Sequence, residues 1–491
     1  MLLNRTLWSA SGTVSFLAGR FIAGIVVARL LGPYGAGRIS YLLWIADMAS
    51  VIAGFGLQST ITRFCANLDG KGQPYLANAL ARLLSIRFLI FSFSGLCCFA
   101  FIGVLNYTFS STITTWVLLG AYYFLGGIGL LFNAFLAGKQ RFALIAKING
   151  LSSLTLVLGA IIGSEVAGIP GAIGAYALAA LIPAAMSVSI FRTGDSSYAI
   201  PRDLVSKANS YSFYAWASAM LSSIVWSRAE VFFLEHYRGS YEVAMFTVAA
   251  TLASLVVQGP LLLCGALMPW FAEQAGASNR TEMNRIFASA TRLLAAVVVP
   301  ISLGITALIP VLLPAIYGER FQAAVPVATL LIPAAGILSI ASPASQLIYG
   351  LGKAWFHFVA NLPFAVLMVL GCIVVTPHYG AWGAACIRAC VQGGMLALAA
   401  LYISRTLCYS IPWREIGLVV VISIVSGLLL SIFVRVVHIA WTYPFACFIF
   451  AVLYSVAVCV TNAITTTDRQ LVIAVGKMAI HRLFLARHPC N

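Results

Sequence analysis

The chain has 491 residues, of which 61% are hydrophobic and only 9% are charged. A soluble protein typically carries about 25% charged residues, so the composition excludes a soluble domain and predicts an all-α polytopic membrane protein. The net charge is +16, but most basic residues lie between apolar runs. The positive-inside rule explains them there, and no nucleic-acid partner is needed.

Fourteen apolar runs are long enough to cross a bilayer of about 30 Å as helices. Gly163 to Pro170 is the only break between the fifth and sixth of these spans, and prolines in the ninth span predict kinks rather than an end. The predicted spans are 8–30, 39–62, 83–106, 113–136, 144–163, 169–191, 212–234, 243–267, 290–313, 325–349, 355–376, 381–403, 415–437 and 441–463.

Basic residues are distributed unevenly between the two sides of the predicted membrane. The N-terminus, the even-numbered loops and the C-terminal tail hold nineteen Lys and Arg, whereas the odd-numbered loops hold five: Arg29, Arg38, Arg238, Arg320 and Arg435. Since cytoplasmic loops carry the excess of basic residues, both termini are expected in the cytoplasm. An even number of spans agrees with that topology.

The two halves of the chain repeat each other. The turn 32–35 (Gly-Pro-Tyr-Gly) resembles 239–242 (Gly-Ser-Tyr-Glu), and 171–175 resembles 380–384, at offsets of 207 and 209 residues. Six spans separate the repeats, so both lobes have the same orientation. The predicted domains are an N-terminal lobe (1–191), a cytoplasmic linker (192–211), a C-terminal lobe (212–404), spans 13 and 14 (405–463) and a basic cytoplasmic tail (464–491).

No catalytic or nucleotide-binding motif appears in the sequence. It lacks a phosphate-binding Gly-Lys-Ser/Thr loop and a His-Glu-x-x-His pair, and its cysteines match no metal spacing. We therefore expect a protein that is not an enzyme and holds no cofactor or metal. Energy for any transport would come from an ion or proton gradient, the membrane potential or a partner.

Ionisable residues within the spans are the candidates for a functional site, because each costs roughly 2.5–3.5 kcal/mol at the bilayer centre. Arginine fits an anionic ligand, since its planar guanidinium donates two hydrogen bonds to phosphate oxygens at once and stays charged. The candidates are Arg20 near the centre of span 1, Asp47 near the centre of span 2, Arg228 and Glu230 in span 7, Arg388 and Gln392 one turn apart in span 12, and Arg87 and Arg292 nearer the cytoplasmic ends.

Each candidate has a structural alternative. Asp47 either couples transport to a proton or cation, or only neutralises Arg20. Arg228 and Glu230 either support the site or pair with the loop 235–242. Snorkelling to the interface is the alternative for the two residues nearer the cytoplasmic ends. The two deepest arginines, in spans 1 and 12, favour a water-filled cavity.

The turn Ala28-Arg29-Leu30-Leu31-Gly32-Pro33-Tyr34-Gly35, the downstream Gly56-Leu57 and the Gly352-Lys353 loop, with fourteen spans in two lobes, resemble O-antigen-type polysaccharide flippases of the multidrug/oligosaccharidyl-lipid/polysaccharide exporter superfamily. The resemblance implies two six-helix lobes around a central cavity plus two C-terminal helices, in the bacterial inner membrane. It also implies that undecaprenyl-pyrophosphate-linked oligosaccharides move from the cytoplasmic to the periplasmic leaflet by alternating access.

The same resemblance implies a cationic cavity, which Arg20, Arg228 and Arg388 could supply. The implied partners are the lipid-linked oligosaccharide, membrane lipids, a polysaccharide polymerase and a chain-length regulator. Three alternatives stay open: a drug/cation antiporter of the same superfamily, a lipid II flippase, and a non-transporting scaffold of a polysaccharide assembly complex. The antiporter is disfavoured because the interior is richer in arginine than in carboxylates.

Overall fold

The computed structural model describes residues 2–105, 113–188, 200–226, 228–264, 267–277, 279–353, 355–436 and 443–461. Over these residues every regular element is a helix, which confirms the all-α prediction, and each of the fourteen predicted spans overlaps one. The α-helices are α1 (Leu2–Gly54), α2 (Leu57–Gly70), α3 (Pro74–Leu105), α4 (Ile113–Gly138), α5 (Phe142–Met186), α6 (Arg202–Trp226), α7 (Glu230–Arg238), α8 (Ser240–Cys264), α9 (Leu267–Gly276), α10 (Arg280–Tyr317), α11 (Val325–Ser339), α12 (Ser342–Gly350), α13 (Trp355–Leu401), α14 (Trp413–Val436) and α15 (Tyr443–Val460). A 3₁₀-helix (Glu319–Ala324) and a π-helical turn (Tyr402–Thr406) complete the set.

Nine helices among the described residues are long and apolar enough to cross a membrane. Three of them contain two spans each, because α1, α5 and α13 are kinked at Gly32, Gly168 and Gly380, where φ is 68°, 62° and 55°. Positive φ is readily adopted only by glycine, so each kink can form without strain. The protein is therefore a multi-pass membrane protein.

The backbone supports the internal repeat. Gly32 (φ 68°, ψ −176°) and Gly239 (φ 83°, ψ 178°) share nearly one conformation and lie 207 residues apart, the offset read from the sequence. Gly168 (62°, −130°) and Gly380 (55°, −138°) form a second matching pair, but they lie 212 residues apart, so the kinks pair Gly380 with Gly168 and not with Gly171 as the offset of 209 predicted. Corresponding turns of the two halves are thus built in the same way.

Span 2, predicted as one helix, is broken at Phe55 and Gly56, where φ is 41° and 68°. The break exposes carbonyl groups within a membrane segment, where they need partners. Two side chains of α6 supply them: Ser212 Oγ donates to the Phe55 carbonyl (2.5 Å), and Trp216 Nε1 donates to the Ile52 carbonyl (3.1 Å).

Spans 7 and 10 are also interrupted. In span 7, α6 ends at Trp226 and α7 begins at Glu230, and Arg228 between them has a left-handed φ of 62° that no α-helix accommodates. In span 10, the chain turns at Ile340 and Ala341 before Pro343, whose missing N–H removes one helical hydrogen bond. Span 9, in contrast, continues through three prolines as α10.

The chain forms two compact units that cut across the predicted lobes. Unit 1 comprises 1–247, 314–321 and 361–384, and unit 2 comprises 248–313, 322–360 and 385–491, in both cases within the described residues. The lobe boundaries stay a prediction. Residues 192–199 of the predicted linker and the whole tail 464–491 lie outside the described residues.

Each unit has its own apolar core. In unit 1, α2 buries Leu57, Ile61, Cys65 and Leu68, spaced four, four and three residues apart, against α3 and α4. That spacing gives α2 one apolar face and leaves the opposite face for polar groups. In unit 2, α14 and α15 pack on α10, where the Tyr454 hydroxyl donates to a carbonyl of α10 (2.7 Å).

Candidate functional site

A cavity in unit 1, which we call the Arg20 cavity, lies between α1, α4 and α5 and has a volume of about 140 Å³. The kink at Gly32 divides α1 into two halves, one containing Arg20 and the other Asp47. These residues lie 12 positions before and 15 positions after the kink, so they reach similar depths. Arg20 Nη2 is 3.6 Å from Asp47 Oδ2. The two charges singled out in the sequence therefore form an ion pair in this cavity.

Aromatic side chains surround that pair. The Tyr122 hydroxyl donates a hydrogen bond to Asp47 Oδ1 (2.9 Å), and the Tyr176 ring packs edge-on against Tyr122 at 5.9 Å. The Arg20 guanidinium lies over the Phe16 ring at 5.6 Å. The side chains of Arg20 and Asp47 keep 35% and 46% of their exposure. The cavity is therefore accessible, and the ion pair is weak enough to open for a ligand.

Most residues that line this cavity were not among the candidates predicted from the sequence. On α4, Tyr122, Gly126, Gly129 and Asn133 follow one another by four, three and four residues, a helical face that the spacing alone could have revealed. On α5, the polar lining residues Asn149, Ser152 and Ser153 share a second face.

The lining offers hydrogen-bonding groups besides the ion pair. Asn133 Oδ1 and Ser152 Oγ are shielded atoms with no hydrogen-bond partner among the described residues. Ser153 Oγ instead donates to the Ser15 carbonyl (2.9 Å), at a point where Gly19 lets α1 approach Ser153 closely. The cavity thus combines one cation, one carboxylate and neutral polar groups, which suits a polar ligand.

Arg388 and Gln392 lie one turn apart on α13, in unit 2, and each is only 9% exposed. Gln392 Oε1 is shielded and has no hydrogen-bond partner among the described residues. Arg388 is therefore buried, as expected for an arginine within a span, and a neighbouring amide oxygen is unsatisfied. Both stay candidates for ligand binding.

Arg228 and Glu230 lie at the start of α7, in unit 1. Arg228 lies in the break of span 7 and within electrostatic range of the Tyr317 hydroxyl. Glu230, the first residue of α7, is completely buried. Tyr317 packs edge-on against Phe21, the residue after Arg20, at 6.5 Å. Tyr317 thus contacts the first half of α1 and lies within electrostatic range of the break.

Arg87 and Arg292 are half-buried and lie on α3 and α10, respectively. Arg87 Nη1 donates to Asn209 Oδ1 at the start of α6 (2.5 Å). It lies outside the lining of the Arg20 cavity. Arg87 therefore has a hydrogen-bond partner inside unit 1. The two roles predicted from the sequence were a cation of the functional site and a side chain that snorkels to the interface.

A second polar cluster in unit 1 joins the turns of the repeat; we call Arg29, Arg38, Glu235, Arg238, Ser240 and Glu242 the turn network. Arg38 pairs with Glu235 (2.9 Å), which also accepts from the Ser240 hydroxyl (2.9 Å). Arg238 donates to the His378 carbonyl (2.6 Å), and Glu242 accepts from the Ala381 N–H (2.7 Å) beside the kink of α13.

Arg29 completes the turn network at the end of α10. Its Nε donates to the Ile316 carbonyl (2.7 Å) and its Nη2 to the Ala315 carbonyl. A cation at a helix C-terminus is favourable, because the last carbonyls lack partners within the helix. Three of the five basic residues on the arginine-poor side of the predicted topology thus serve this network.

Equivalent positions of the repeat meet beside the turn network. The hydroxyls of Ser40 and Thr247, which are 207 residues apart, lie 3.4 Å from each other. Gly37 lies so close to the Ser240 carbonyl that any added Cβ would overlap it. The second half of α1 and the first half of α8 are therefore in backbone contact at this end.

No group of three or more His, Cys, Asp or Glu side chains in the described part of the chain is arranged to hold a metal ion.

The family model described as "Polysaccharide biosynthesis protein" matches residues 2–274. No curated protein matches the sequence. Among solved structures, a lipid II flippase, MurJ, in an inward closed conformation is similar with a TM-score of 0.74 and 12% identity, over 93% of this chain and 98% of that one.

Two other solved structures belong to transporters of the MOP superfamily. An inward-facing multidrug resistance MATE family transporter has a TM-score of 0.64 and 17% identity, over 81% of this chain and 96% of that one. A MOP superfamily transporter from Pyrococcus furiosus has a TM-score of 0.58 and 17% identity, over 81% and 93%. The similarity to these three structures shows that the chain has the MOP transporter fold.

Proposed function

The chain belongs to the polysaccharide biosynthesis protein family, and we propose that it is a flippase for undecaprenyl-pyrophosphate-linked oligosaccharide repeat units. It moves them from the cytoplasmic to the periplasmic leaflet of the bacterial inner membrane by alternating access. It acts without catalysis, and both termini are cytoplasmic. A polysaccharide polymerase and a chain-length regulator are its proposed partners.

The Arg20 cavity is the observation that carries this proposal. The guanidinium lies within a membrane segment, is 35% exposed, and faces a chamber lined with amide and hydroxyl groups. An arginine fork suits pyrophosphate oxygens, and the amides and hydroxyls suit sugar hydroxyls. Arg388 and Gln392 are proposed as a second contact for the anionic part of the substrate, and Arg228 as a supporting cation.

Asp47 is proposed as the coupling residue, with Glu230 as a second candidate. A pyrophosphate that binds Arg20 competes directly with Asp47 for the guanidinium. Release of Asp47 makes its carboxylate available to a proton or a cation. Moving one charge through the membrane is worth about 2.3 kcal/mol per 100 mV, enough to bias a two-state equilibrium.

Complementation of a strain that lacks its polysaccharide flippase tests the proposal. Arg20→Ala and Arg388→Ala should each abolish surface polysaccharide, while membrane levels of the protein match those of the wild type. Arg202→Ala, an exposed arginine outside the cavity, is the control and should complement. Full complementation by both Arg20→Ala and Arg388→Ala would exclude a cationic substrate site.

The similarity to a lipid II flippase favours a second candidate function. Lipid II is also a polyprenyl pyrophosphate that carries a glycan, so the same cavity chemistry would suit it. A strain depleted of its essential lipid II flippase separates the two functions. Growth rescue by the wild-type chain, without restoration of surface polysaccharide, would assign lipid II instead.

A further inference from the structure

A groove between α2 and α6, on the surface of unit 1, is separate from the Arg20 cavity. It has a volume of about 380 Å³, and Phe64 is part of its lining. We call it the Arg63 groove; it is lined by Arg63, Asn67, Ser206, Lys207, Ser210 and Tyr211. All six of these side chains carry a hydrogen-bond donor, and none is a carboxylate.

The sequence around the groove is typical of a membrane interface, where lipid headgroups lie. Helix α6 begins with the polar stretch 202–210 and then presents aromatic side chains, of which Phe213 and Tyr214 are 50% and 73% exposed. Exposed aromatic side chains at the end of a span mark the membrane interface. Tyr211 belongs to this aromatic group and also forms a wall of the groove.

Arg63 is positioned to bind an oxyanion. Its guanidinium lies over the Tyr211 ring at 4.3 Å and near the Phe64 ring at 5.8 Å. Within the described part of the chain it makes no ion pair and no hydrogen bond, and it is exposed. Stacking on a ring holds the guanidinium plane and leaves its N–H edges available for two phosphate oxygens.

The nearby carboxylates do not compete for Arg63. Asp203 pairs with Lys207 one turn away (2.7 Å), and Asp69 on α2 pairs with Lys139 (2.7 Å). Both side chains of the Asp203–Lys207 ion pair are exposed, so this pair is weak. Lys207 can thus turn toward a phosphate. Arg63, Lys207 and Asp203 together carry a net charge of +1.

We propose that the Arg63 groove binds the phosphate of a lipid headgroup. Arg63 supplies the bidentate contact, Lys207 a second charge, and the Ser and Asn side chains supply neutral donors. The lipid is either a bulk anionic phospholipid or a polyprenyl pyrophosphate. Lipid binding at this groove does not depend on transport. Either of the two proposals, lipid binding or flippase activity, can therefore fail while the other holds.

Native mass spectrometry of the full-length protein in detergent tests the groove, with phosphatidylglycerol in one arm and undecaprenyl pyrophosphate in the other. Arg63→Gln should weaken binding of one lipid at least fivefold, and the affected lipid identifies the source. Arg63→Lys, which keeps the charge but not the fork, should fall between the wild type and Arg63→Gln. Arg202→Gln removes an exposed charge outside the groove and should change binding less than twofold.

Two outcomes would overturn the proposal. Either Arg63→Gln binds both lipids as the wild type does, or Arg202→Gln weakens binding equally, so that only net charge matters. Arg63 is exposed, so its variants should fold, and their elution as a single species checks this. Arg20→Ala, the variant that tests transport, should keep phosphatidylglycerol binding, which separates the two proposals.

Discussion

Arg20 and Asp47 form a pair whose geometry allows ligand exchange. At 3.6 Å the ion pair is long, and both side chains keep more than a third of their exposure. A hydrogen bond from Tyr122 holds Asp47 in place independently of Arg20. Arg20 can therefore change partners while Asp47 keeps one, which gives the two residues different roles.

Asp47→Asn separates binding from coupling. The amide keeps an acceptor for Tyr122 but removes the charge that competes for Arg20. We expect the variant to bind undecaprenyl pyrophosphate at least as tightly as the wild type, and gradient-driven transport to fall at least tenfold. Binding is measured on purified protein and transport in proteoliposomes under an imposed pH or Na⁺ gradient. Transport at the wild-type rate would leave Asp47 a structural residue only.

The sequence identified the charges of the site but few of its neutral members. Arg20 and Asp47 were recognised because a charge within an apolar run has a large energetic cost. Asn133 and Ser152 carry no such cost, so only their position on a face of α4 or α5 distinguishes them. That position matters only once the faces are known to meet, which is a property of tertiary packing.

At the scale of helices, hydrophobic run lengths predicted a helix at each of the fourteen positions, and glycine turns predicted the repeat. Among the described residues, all of these spans except 7 and 14 fall in helices long and apolar enough to cross a membrane. The breaks at Phe55–Gly56 and at Arg228 were not predicted. Their local sequences contain no proline, and hydropathy is insensitive to a lost helical turn. In span 2, bonds from Ser212 and Trp216 satisfy the carbonyls at the break. These partners lie more than 150 residues away along the chain.

Loss of those bonds should destabilise unit 1. Ser212→Ala and Trp216→Phe each leave a carbonyl within the membrane segment without its donor, at about 1 kcal/mol per bond. We expect each variant to lower the midpoint of thermal unfolding in detergent, and the double variant to lower it further. Ser218→Ala, at an exposed position of the same helix, should leave it unchanged. Equal midpoints in all four variants would contradict this account of the break.

The contact between α1 and α8 provides a test of alternating access. Ser40→Cys with Thr247→Cys places two thiols where the hydroxyls are 3.4 Å apart. Oxidation should link them, hold the turn-network end closed and stop transport, and a reductant should restore it. Each single cysteine variant serves as the control and should transport under both conditions. A linked protein that transports at the unlinked rate would show that this end need not open.

At the scale of the whole molecule, charge is arranged for two purposes. Nineteen basic residues lie on one side of the predicted topology and predict that this side is cytoplasmic. Three of the five on the other side bind carbonyl or carboxylate acceptors in the turn network. Counting charges predicted the first purpose. It could not predict the second, because acceptors such as the Ile316 and His378 carbonyls are invisible in a residue count.

Composition and periodicity were sufficient for the class of protein, but not for its substrate. The fold is shared with a lipid II flippase and with multidrug transporters at 12% and 17% identity. The chemistry of the cavity must therefore decide between substrates, and its central cation is Arg20.

The central claim is that Arg20 binds the pyrophosphate of a lipid-linked oligosaccharide during its movement across the membrane. It is tested most directly by reconstituting the full-length protein in proteoliposomes with a fluorescent undecaprenyl-pyrophosphate-linked oligosaccharide, and by measuring its arrival in the opposite leaflet. The wild type should move the lipid under an imposed gradient, Arg20→Lys should be slower, and Arg20→Gln should match empty vesicles. Wild-type rates for Arg20→Gln would contradict the claim.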